Sequence, residues 1–279
     1  MVELQSHKTA GYGWLPDLPD MRDLKYTAAP ATVAALPPSV DLRNQFPVEA
    51  YRQGRIGSCT ANAIAAAFEF DLIRQHAPDF VPSRLFIYYN ERRIERRVGF
   101  DSGGMIRDGV KSVAKLGVCP EDEWAYDDTP PPSEGQAWPA GARAGQKPPT
   151  PCFDHARQHR VISYERVDRS LNQLKGCLAE QFPFIFGFTV YESFESETVA
   201  RTGVVPMPAG SERTLGGHAV LAMGYDDGEQ RFLVRNSWGP EWGIRGYFTM
   251  PYDYLTGPGA RDFWTLRIVL GDQSSSVHT

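Results

Sequence analysis

The chain has 279 residues, of which 42% are hydrophobic, and its formal net charge is -5. This length and apolar content allow one large domain or two lobes that share a cleft. The acidic balance argues against nucleic acid as the main partner, and no apolar run reaches the roughly 18 to 20 residues that span a bilayer. A basic cluster at residues 91–97 is interleaved with glutamates and is interpreted as a solvated helix face.

Residues 1–35 combine an alanine- and proline-rich stretch with the aromatic residues Tyr12, Trp14 and Tyr26. Such a composition cannot pack a core alone. Two interpretations stay open: a prosegment or strap that the aromatic residues anchor on the main domain, and a flexible leader. Because no apolar signal stretch is seen, a cytoplasmic location is expected.

Residues 36–126 predict a mainly helical lobe. One helix begins at Cys59, and its apolar residues recur at three- and four-residue spacing, which predicts one apolar face. Further helices are predicted over 83–94, after Pro82, and over 106–116, ended by Gly117.

Cys59 is the candidate nucleophile. The unpaired N–H groups and positive dipole of a helix start favour thiolate over thiol, and the preceding Gly57 and Ser58 allow a substrate chain to approach. A free cysteine can equally be a small buried hydrophobe. The assignment therefore depends on partners elsewhere in the chain.

Residues 127–159 are rich in proline and glycine and are interpreted as an inserted loop without helix or strand. His155 and His159 lie there beside Cys152, so a zinc site and a solvated polar segment are both conceivable. No close ligand spacing such as two cysteines two residues apart is present, so neither metal nor another cofactor is expected and activity should resist chelators.

From 160 to 270 the pattern becomes strand-like, with predicted strands over 160–164, 184–190, 215–225, 232–239 and 263–270, one helix over 168–180, and a flexible tail over 271–279. Strands without regular βαβ alternation predict an antiparallel barrel-like lobe, hence an α+β fold with the active site between the lobes. Residues 226–230 form the turn of a hairpin that brings His218 and Asn236 together. A histidine on a buried strand can also be a satisfied core residue.

Three motifs share their order with a known family: Gln-Gly-x-x-Gly-Ser-Cys at 53–59, Gly-His-Ala-Val at 217–220 and Asn-Ser-Trp-Gly-x-x-Trp-Gly at 236–243. Together they resemble the papain-like (C1) cysteine peptidases, over about residues 36–270. The resemblance implies a two-lobed papain-like fold and hydrolysis of polypeptide substrates through a thiolate–imidazolium pair and a thioester.

The resemblance also implies the site residues. Cys59 is the nucleophile, His218 its proton partner, Asn236 the group that orients the imidazole, and Gln53 a donor to the oxyanion. The substrate-binding residues it implies lie along the cleft; they are Gly57, Ser58, Gly103, Gly104, Met105, Ile106, Gly217, Ala219 and Trp238. For Gly103 and Gly104 a simple tight turn is the alternative.

The chain departs from the family in its cysteines. Ile56 stands where the family usually has a cysteine, and Thr60 follows the nucleophile where an aromatic is usual, so the family's disulfide near the active site is not expected. Apart from Cys59 only Cys119, Cys152 and Cys177 remain, an odd number that cannot all pair.

Two other functions remain open. A transglutaminase-like acyltransferase has the same order of cysteine and histidine with an acidic third member, for which Asp226 or Asp227 could serve. A catalytically inactive relative would keep the peptide-binding cleft alone. The Asn-Ser-Trp-Gly motif disfavours the first, and the competent residue types at all four catalytic positions disfavour the second.

Overall fold

The computed structural model describes residues 12–161 and 163–267. The helices within these ranges are α1 (Pro30–Ala34), α2 (Cys59–Arg74), α3 (Arg84–Ile94), α4 (Ile106–Leu116), α5 (Thr150–Ala156), α6 (Leu171–Ala179), α7 (Glu197–Thr202) and α8 (Tyr252–Thr256). The strands are β1 (Lys25–Tyr26), β2 (Ser39–Asp41), β3 (Ser163–Val167), β4 (Phe184–Tyr191), β5 (Thr214–Asp226), β6 (Arg231–Arg235), β7 (Tyr247–Pro251) and β8 (Ala260–Arg267).

The strands form a single sheet with the order β1-β3-β8-β4-β5-β6-β7, and β2 pairs with β5 off this path. All pairings are antiparallel except that of β1 with β3. The three longest helices of the N-terminal half, α2, α3 and α4, lie between β2 and β3 in sequence, and α2 packs against β5. The predicted α+β class is confirmed. In the described part of the chain, no helix is both long enough and apolar enough for a membrane span.

Helix α2 lies at the centre of the molecule and is buried on every side. Residues 59–72 are all buried, including Asn62, Glu69 and Asp71. The prediction of a single apolar face was therefore wrong, because alanines let both the sheet and the neighbouring helices approach closely. The polar exceptions are bonded: Asn62 Nδ2 donates to the Ser58 carbonyl (2.9 Å), and Glu69 accepts from the Tyr51 hydroxyl.

The other helices of this lobe follow the sequence signals closely. Helix α3 begins after Ser83, whose hydroxyl accepts the Phe86 N–H, and α4 ends at Gly117, which has a φ of 79° that favours glycine. In the second lobe, Ser170 caps α6 in the same way. Serine N-caps therefore set the starts of α3 and α6, and a glycine sets the end of α4, as local sequence signals.

The structure differs from the sequence prediction at two places. The segment 127–159 is not all loop, since α5 and a 3-10 turn at Arg143–Gly145 lie within it. The basic cluster is not fully solvated: Glu91 and Arg92 are completely buried. The Arg92 guanidinium lies 3.8 Å from the Tyr88 ring centroid and donates to the carbonyls of Val98 and Phe100, so backbone oxygens replace its water.

Two strand predictions were displaced. The strand predicted at 160–164 is β3, three residues later, and the last strand begins at Ala260, three residues before the predicted start. Residues 268–270 of that prediction, the tail 271–279 and residues 1–11 lie outside the described residues. The β5–β6 turn is as predicted, with β5 ending at Asp226 and β6 beginning at Arg231, but β6 ends at Arg235, four residues before the predicted end.

Candidate active site

Cys59 is the first residue of α2 and is completely buried. Two backbone N–H groups from different parts of the chain donate hydrogen bonds to its sulfur, those of Ala219 on β5 and Gly13 near the N-terminus. The packing of α2 on β5 thus places the thiol beside the residue that follows His218. Gly13, the other donor, belongs to a part of the chain that the family motifs do not cover.

His218 and Asn236 come together through the β5–β6 hairpin. The His218 Nε2 atom lies 2.8 Å from Asn236 Oδ1, which also accepts the Ser237 N–H at 2.8 Å. The Trp238 ring lies over the imidazole, with the two ring centroids 5.1 Å apart. His218 Nδ1 is buried and has no hydrogen-bond partner among the described residues. The imidazole therefore has one nitrogen anchored and the other available for a proton.

Gln53 lies in the turn before α2 and is fixed by three contacts. Its Nε2 donates to the Ile56 carbonyl (2.9 Å), its Oε1 accepts the Ser237 hydroxyl (2.9 Å), and its backbone N–H donates to the Ser237 carbonyl (2.7 Å). An amide nitrogen carries two hydrogens, so one remains after the bond to Ile56. These bonds orient the amide from both lobes.

The N-terminal segment, defined here as residues 12–26, runs through the cleft as an extended chain. Gly104 N–H donates to the Gly13 carbonyl (2.7 Å), and the Gly104 carbonyl accepts from Leu15 N–H (3.0 Å). On the opposite wall, Trp14 N–H donates to the Gly217 carbonyl (3.0 Å). The two walls therefore hold the backbone of this segment much as a sheet holds a strand.

Glycines make this close approach possible. A Cβ on Gly13 would lie 1.6 Å from the Gly57 carbonyl oxygen, and one on Gly103 would lie 2.1 Å from the Gly13 oxygen. Gly103 also has a φ of 68°, which favours glycine. Both positions therefore require glycine while the segment is in place.

Two aromatic side chains of the segment cover the catalytic residues. The Tyr12 ring centroid lies 6.0 Å from that of His218 and 6.4 Å from that of Trp238, and the Tyr12 hydroxyl donates to Glu195. The Trp14 ring is buried and occupies the space above Gly187, where a Cβ would come within 1.9 Å of the indole. Cys59 and His218 are both completely buried beneath this cover.

Further along, the segment is held by an ionic anchor made of Asp17, Asp23, Arg107, Arg166 and Asp262. Arg166 lies 2.7 Å from Asp17, 3.2 Å from Asp23 and 3.3 Å from Asp262, while Arg107 pairs with Asp23 at 2.5 Å. The three carboxylates are almost completely buried, with side-chain exposures of 0%, 6% and 3%. Charged groups this deep must be paired, so the anchor holds the segment through specific side chains.

Beneath the N-terminal segment, the side chains of Cys59 and His218 are both uncharged. Burial raises the pKa of the Cys59 thiol to about 12, against the pull of the two backbone N–H donors. Burial also lowers the pKa of His218 to about 4, although the bond to Asn236 opposes this. With the segment in place, the pair is thus a thiol and a neutral imidazole, and the thiolate expected from the helix start is not favoured.

The predicted substrate-binding residues have different environments. Gly57, Gly103, Gly104 and Gly217 lie against the backbone of the N-terminal segment, and Ala219 donates to the thiol. The Ser58 hydroxyl instead contacts the Tyr126 hydroxyl (2.5 Å) beneath α2, and Ile106 is completely buried at the start of α4. Met105 lines a separate groove with Leu18 and Lys111.

Several residues of the site were not singled out from the sequence. Gly187 had a usable signal, since a glycine inside a strand marks a close approach. Asp17, Arg107, Arg166 and Asp262 had none, because the ionic anchor joins residues more than 80 positions apart.

Comparison with known proteins decides the family. The sequence profile described as "Papain family cysteine protease" matches residues 36–256. The chain belongs to the papain family. It is therefore a cysteine peptidase, a hydrolase of peptide bonds, and the resemblance read from its three motifs is confirmed.

Individual relatives agree with this. The crystal structure of xylellain, a cysteine protease from Xylella fastidiosa, is 49% identical, covers 94% of this chain and 98% of its own, and superposes with a TM-score of 0.90. An uncharacterized peptidase C1-like protein of Acanthamoeba polyphaga mimivirus is 39% identical over 92% of this chain and 87% of its own length. Cathepsin B-like CP3 of Giardia intestinalis is 30% identical over 76% and 68%.

Proposed function

We propose that this papain-family peptidase cleaves extended polypeptides through Cys59 and His218 and that its N-terminal segment keeps it latent. One observation carries the proposal: the backbone N–H of Gly13 lies on the Cys59 sulfur while the walls of the cleft bind the same segment as an extended chain. A groove that binds one extended backbone through Gly104 and Gly217 can bind another. The segment therefore occupies the place of a substrate.

Removal of the segment changes the protonation of the catalytic pair. Tyr12, Gly13 and Trp14 lie over the catalytic side chains, and Cys59 and His218 are both completely buried while the segment is in place. When they leave, water and the positive end of α2 favour transfer of the thiol proton to His218 Nδ1. Asn236 keeps the ring oriented through Nε2. The active form is then a thiolate–imidazolium pair.

Hydrolysis follows from the positions of the donors. The thiolate attacks a peptide carbonyl, and the developing oxyanion is received by the Cys59 N–H and the remaining Gln53 Nε2 hydrogen. The His218 imidazolium gives its proton to the leaving amine, so that a thioester remains on Cys59. Water, deprotonated by His218, then attacks the thioester and restores the thiol.

The arrangement disfavours the acyltransferase alternative. His218 is oriented by an amide, Asn236, and not by a carboxylate. Asp227 is occupied by Lys175 at 2.7 Å and by the Tyr252 hydroxyl at 2.8 Å, and Asp226 accepts the Glu229 N–H within the hairpin turn. Neither aspartate can therefore replace Asn236 without loss of its present partners.

The test compares Cys59→Ala with Cys177→Ala, which removes another buried cysteine, on an unfolded polypeptide with and without an amine acceptor. The parent and both variants also carry Gly13→Ala, because the added Cβ would lie 1.6 Å from the Gly57 carbonyl oxygen and displace the segment from the thiol. We expect Cys59→Ala to lose hydrolysis by at least about 10⁴-fold, as expected when a nucleophile is removed. Cys177→Ala should retain hydrolysis. Transfer to the amine in preference to water would favour the acyltransferase, and binding without turnover would favour an inactive relative.

A further inference from the structure

Three side chains with metal-binding atoms meet away from the cleft, beside the insertion. Cys119 follows α4, Glu123 lies in the next turn, and Cys152 is on α5. Their ligand atoms all lie within 4.8 Å of one another, and both cysteines are buried. We call these three residues the Cys2Glu cluster. The sequence separates its two cysteines by more than 30 residues, so spacing alone could not reveal it.

The backbone around the Cys2Glu cluster is well fixed. The Cys119 carbonyl accepts the Ser83 N–H (2.8 Å), and Val118 N–H donates to the His159 carbonyl (3.1 Å). Cys152 N–H donates to the Pro149 carbonyl (3.1 Å) in the first turn of α5. The donor atoms are thus positioned by the fold before any ligand binds, which lowers the entropic cost of binding.

The electrostatics of the Cys2Glu cluster favour a cation. Glu123 Oε2 is buried without a hydrogen-bond partner among the described residues, whereas its Oε1 contacts His155 Nδ1. Buried polar atoms in proteins are almost always bonded. The Cys152 thiol donates to the Glu123 backbone carbonyl (3.6 Å), so this thiol lies directly against the turn that carries the carboxylate. The cluster therefore places two buried thiols beside a carboxylate oxygen that has no hydrogen-bond partner among the described residues.

We propose that Cys119, Cys152 and Glu123 bind a structural Zn²⁺ ion, with His155 as the fourth ligand. His155 follows Cys152 by three residues on α5 and lies next to Glu123, so a side-chain rotation can bring a ring nitrogen to the metal. Zinc–sulfur distances of about 2.3 Å in a tetrahedron place two sulfurs about 3.8 Å apart, within the 4.8 Å limit of the cluster. Binding releases two thiol protons to solvent, and the two thiolates, the carboxylate and the ion then carry a net charge of -1.

Such an ion would close the base of the insertion. It would join the turn after α4 to α5, on either side of the stretch from Pro131 to Gly135, which lines the cleft beside Tyr12 and Gly103. The ion would have no part in hydrolysis. Its effect would be to fix the wall of the cleft that the insertion forms.

The test uses the full chain carrying Cys59→Ala, so that the catalytic thiol cannot bind metal. Cobalt(II) titration without oxygen, followed by zinc competition, should give one site per chain with thiolate-to-cobalt charge-transfer absorption. Cys119→Ser and Cys152→Ser should each abolish that absorption, and Glu123→Gln should weaken zinc binding at least about tenfold. Cys177→Ser, which alters a buried cysteine on α6, is the matched control and should bind like the parent.

The outcomes separate this proposal from its rivals. Absence of the absorption, or its equal loss in Cys177→Ser, would overturn it. The proposal would also fail if mass spectrometry found the chain two hydrogen atoms lighter, with Cys119 and Cys152 joined as a disulfide. Glu123→Gln keeps both cysteines, so it tests the site even if the serine variants fold poorly, and Zn²⁺ should raise the melting temperature of the parent more than that of this variant. Since every protein here lacks Cys59, the result does not depend on peptidase activity.

Discussion

The two ends of the N-terminal segment bind the enzyme in different ways. From Tyr12 to Leu15 the contacts are mainly backbone hydrogen bonds and ring packing, which many extended peptides could reproduce. From Asp17 to Asp23 they are buried ion pairs that need particular side chains. We propose that the first end blocks the thiol and that the second end supplies specificity. A substrate can therefore compete at the first end, while the second holds the segment to its own enzyme.

The largest expected effect comes from breaking the charged end. Arg166→Met leaves three buried carboxylates facing Arg107 alone, and breaking a buried pair costs about 3 to 5 kcal/mol. Urea denaturation should show this loss. Arg22→Met, which removes an exposed arginine paired with Asp20, is the control and should leave the urea midpoint unchanged. Equal effects of the two variants would contradict the ionic anchor.

Adding a methyl group at Gly13 should displace the blocking end of the segment from Cys59. In Gly13→Ala the new Cβ would lie 1.6 Å from the Gly57 carbonyl oxygen, so the segment must move away from Cys59. Overpacking costs about 1 to 3 kcal/mol, which predicts a roughly 10- to 100-fold rise in Cys59 alkylation and peptide hydrolysis. Gly210→Ala is the control, because a Cβ there meets no atom within 4 Å. Unchanged alkylation in Gly13→Ala would argue against latency.

The charged end should also respond to pH. Burial and the charge of Asp17 raise the pKa of Asp262 to about 6, and Arg166 opposes this. A carboxyl group whose pKa is raised in the docked state favours docking when protonated, and this contribution is lost as pH rises through about 6. Between pH 5 and 7, hydrogen-exchange protection factors of the Trp14 and Leu15 amides should fall by about tenfold.

Asp262→Asn isolates this group from the others in the ionic anchor. The variant cannot lose a proton at position 262, so its protection factors should vary much less over the same pH range. Asp17, Asp23, Arg107 and Arg166 remain and report any other titration. An identical pH profile in the variant and the parent would assign the effect elsewhere.

The smallest expected effect is at Tyr12. Tyr12→Phe keeps the ring over His218 and removes the hydrogen bond to Glu195, which is worth about 0.5 to 1.5 kcal/mol. Alkylation of Cys59 should therefore rise by roughly 2- to 10-fold. Tyr191→Phe, whose ring packs on Tyr254, is a comparison outside the segment and should not change alkylation.

The comparison also shows what sequence alone could provide. Helix starts, glycine stops and the β5–β6 turn are local signals, so α3, α4 and the hairpin turn were predicted within a residue or so. The roles of Cys59, His218, Asn236 and Gln53 came from three short motifs and remain predictions until activity is measured.

The rest depended on long-range contacts. Arg92 reads as an exposed charge until the carbonyls of Val98 and Phe100 are folded around it. The residues of the ionic anchor likewise acquire their role only when distant segments meet. Aromatic residues in the leader indicated anchoring, but not that Gly13 would contact the thiol.

The segment is covalently joined to the enzyme that it covers, through α1 and the turn leading to β2. Its local concentration at the cleft is therefore set by the length of that connection and not by the amount of protein in solution. On the proposed latency, we expect neither dilution to activate the enzyme nor a higher protein concentration to inhibit it further. A single cut in the connection would make inhibition depend on protein concentration, since the freed peptide would then dissociate according to its own affinity.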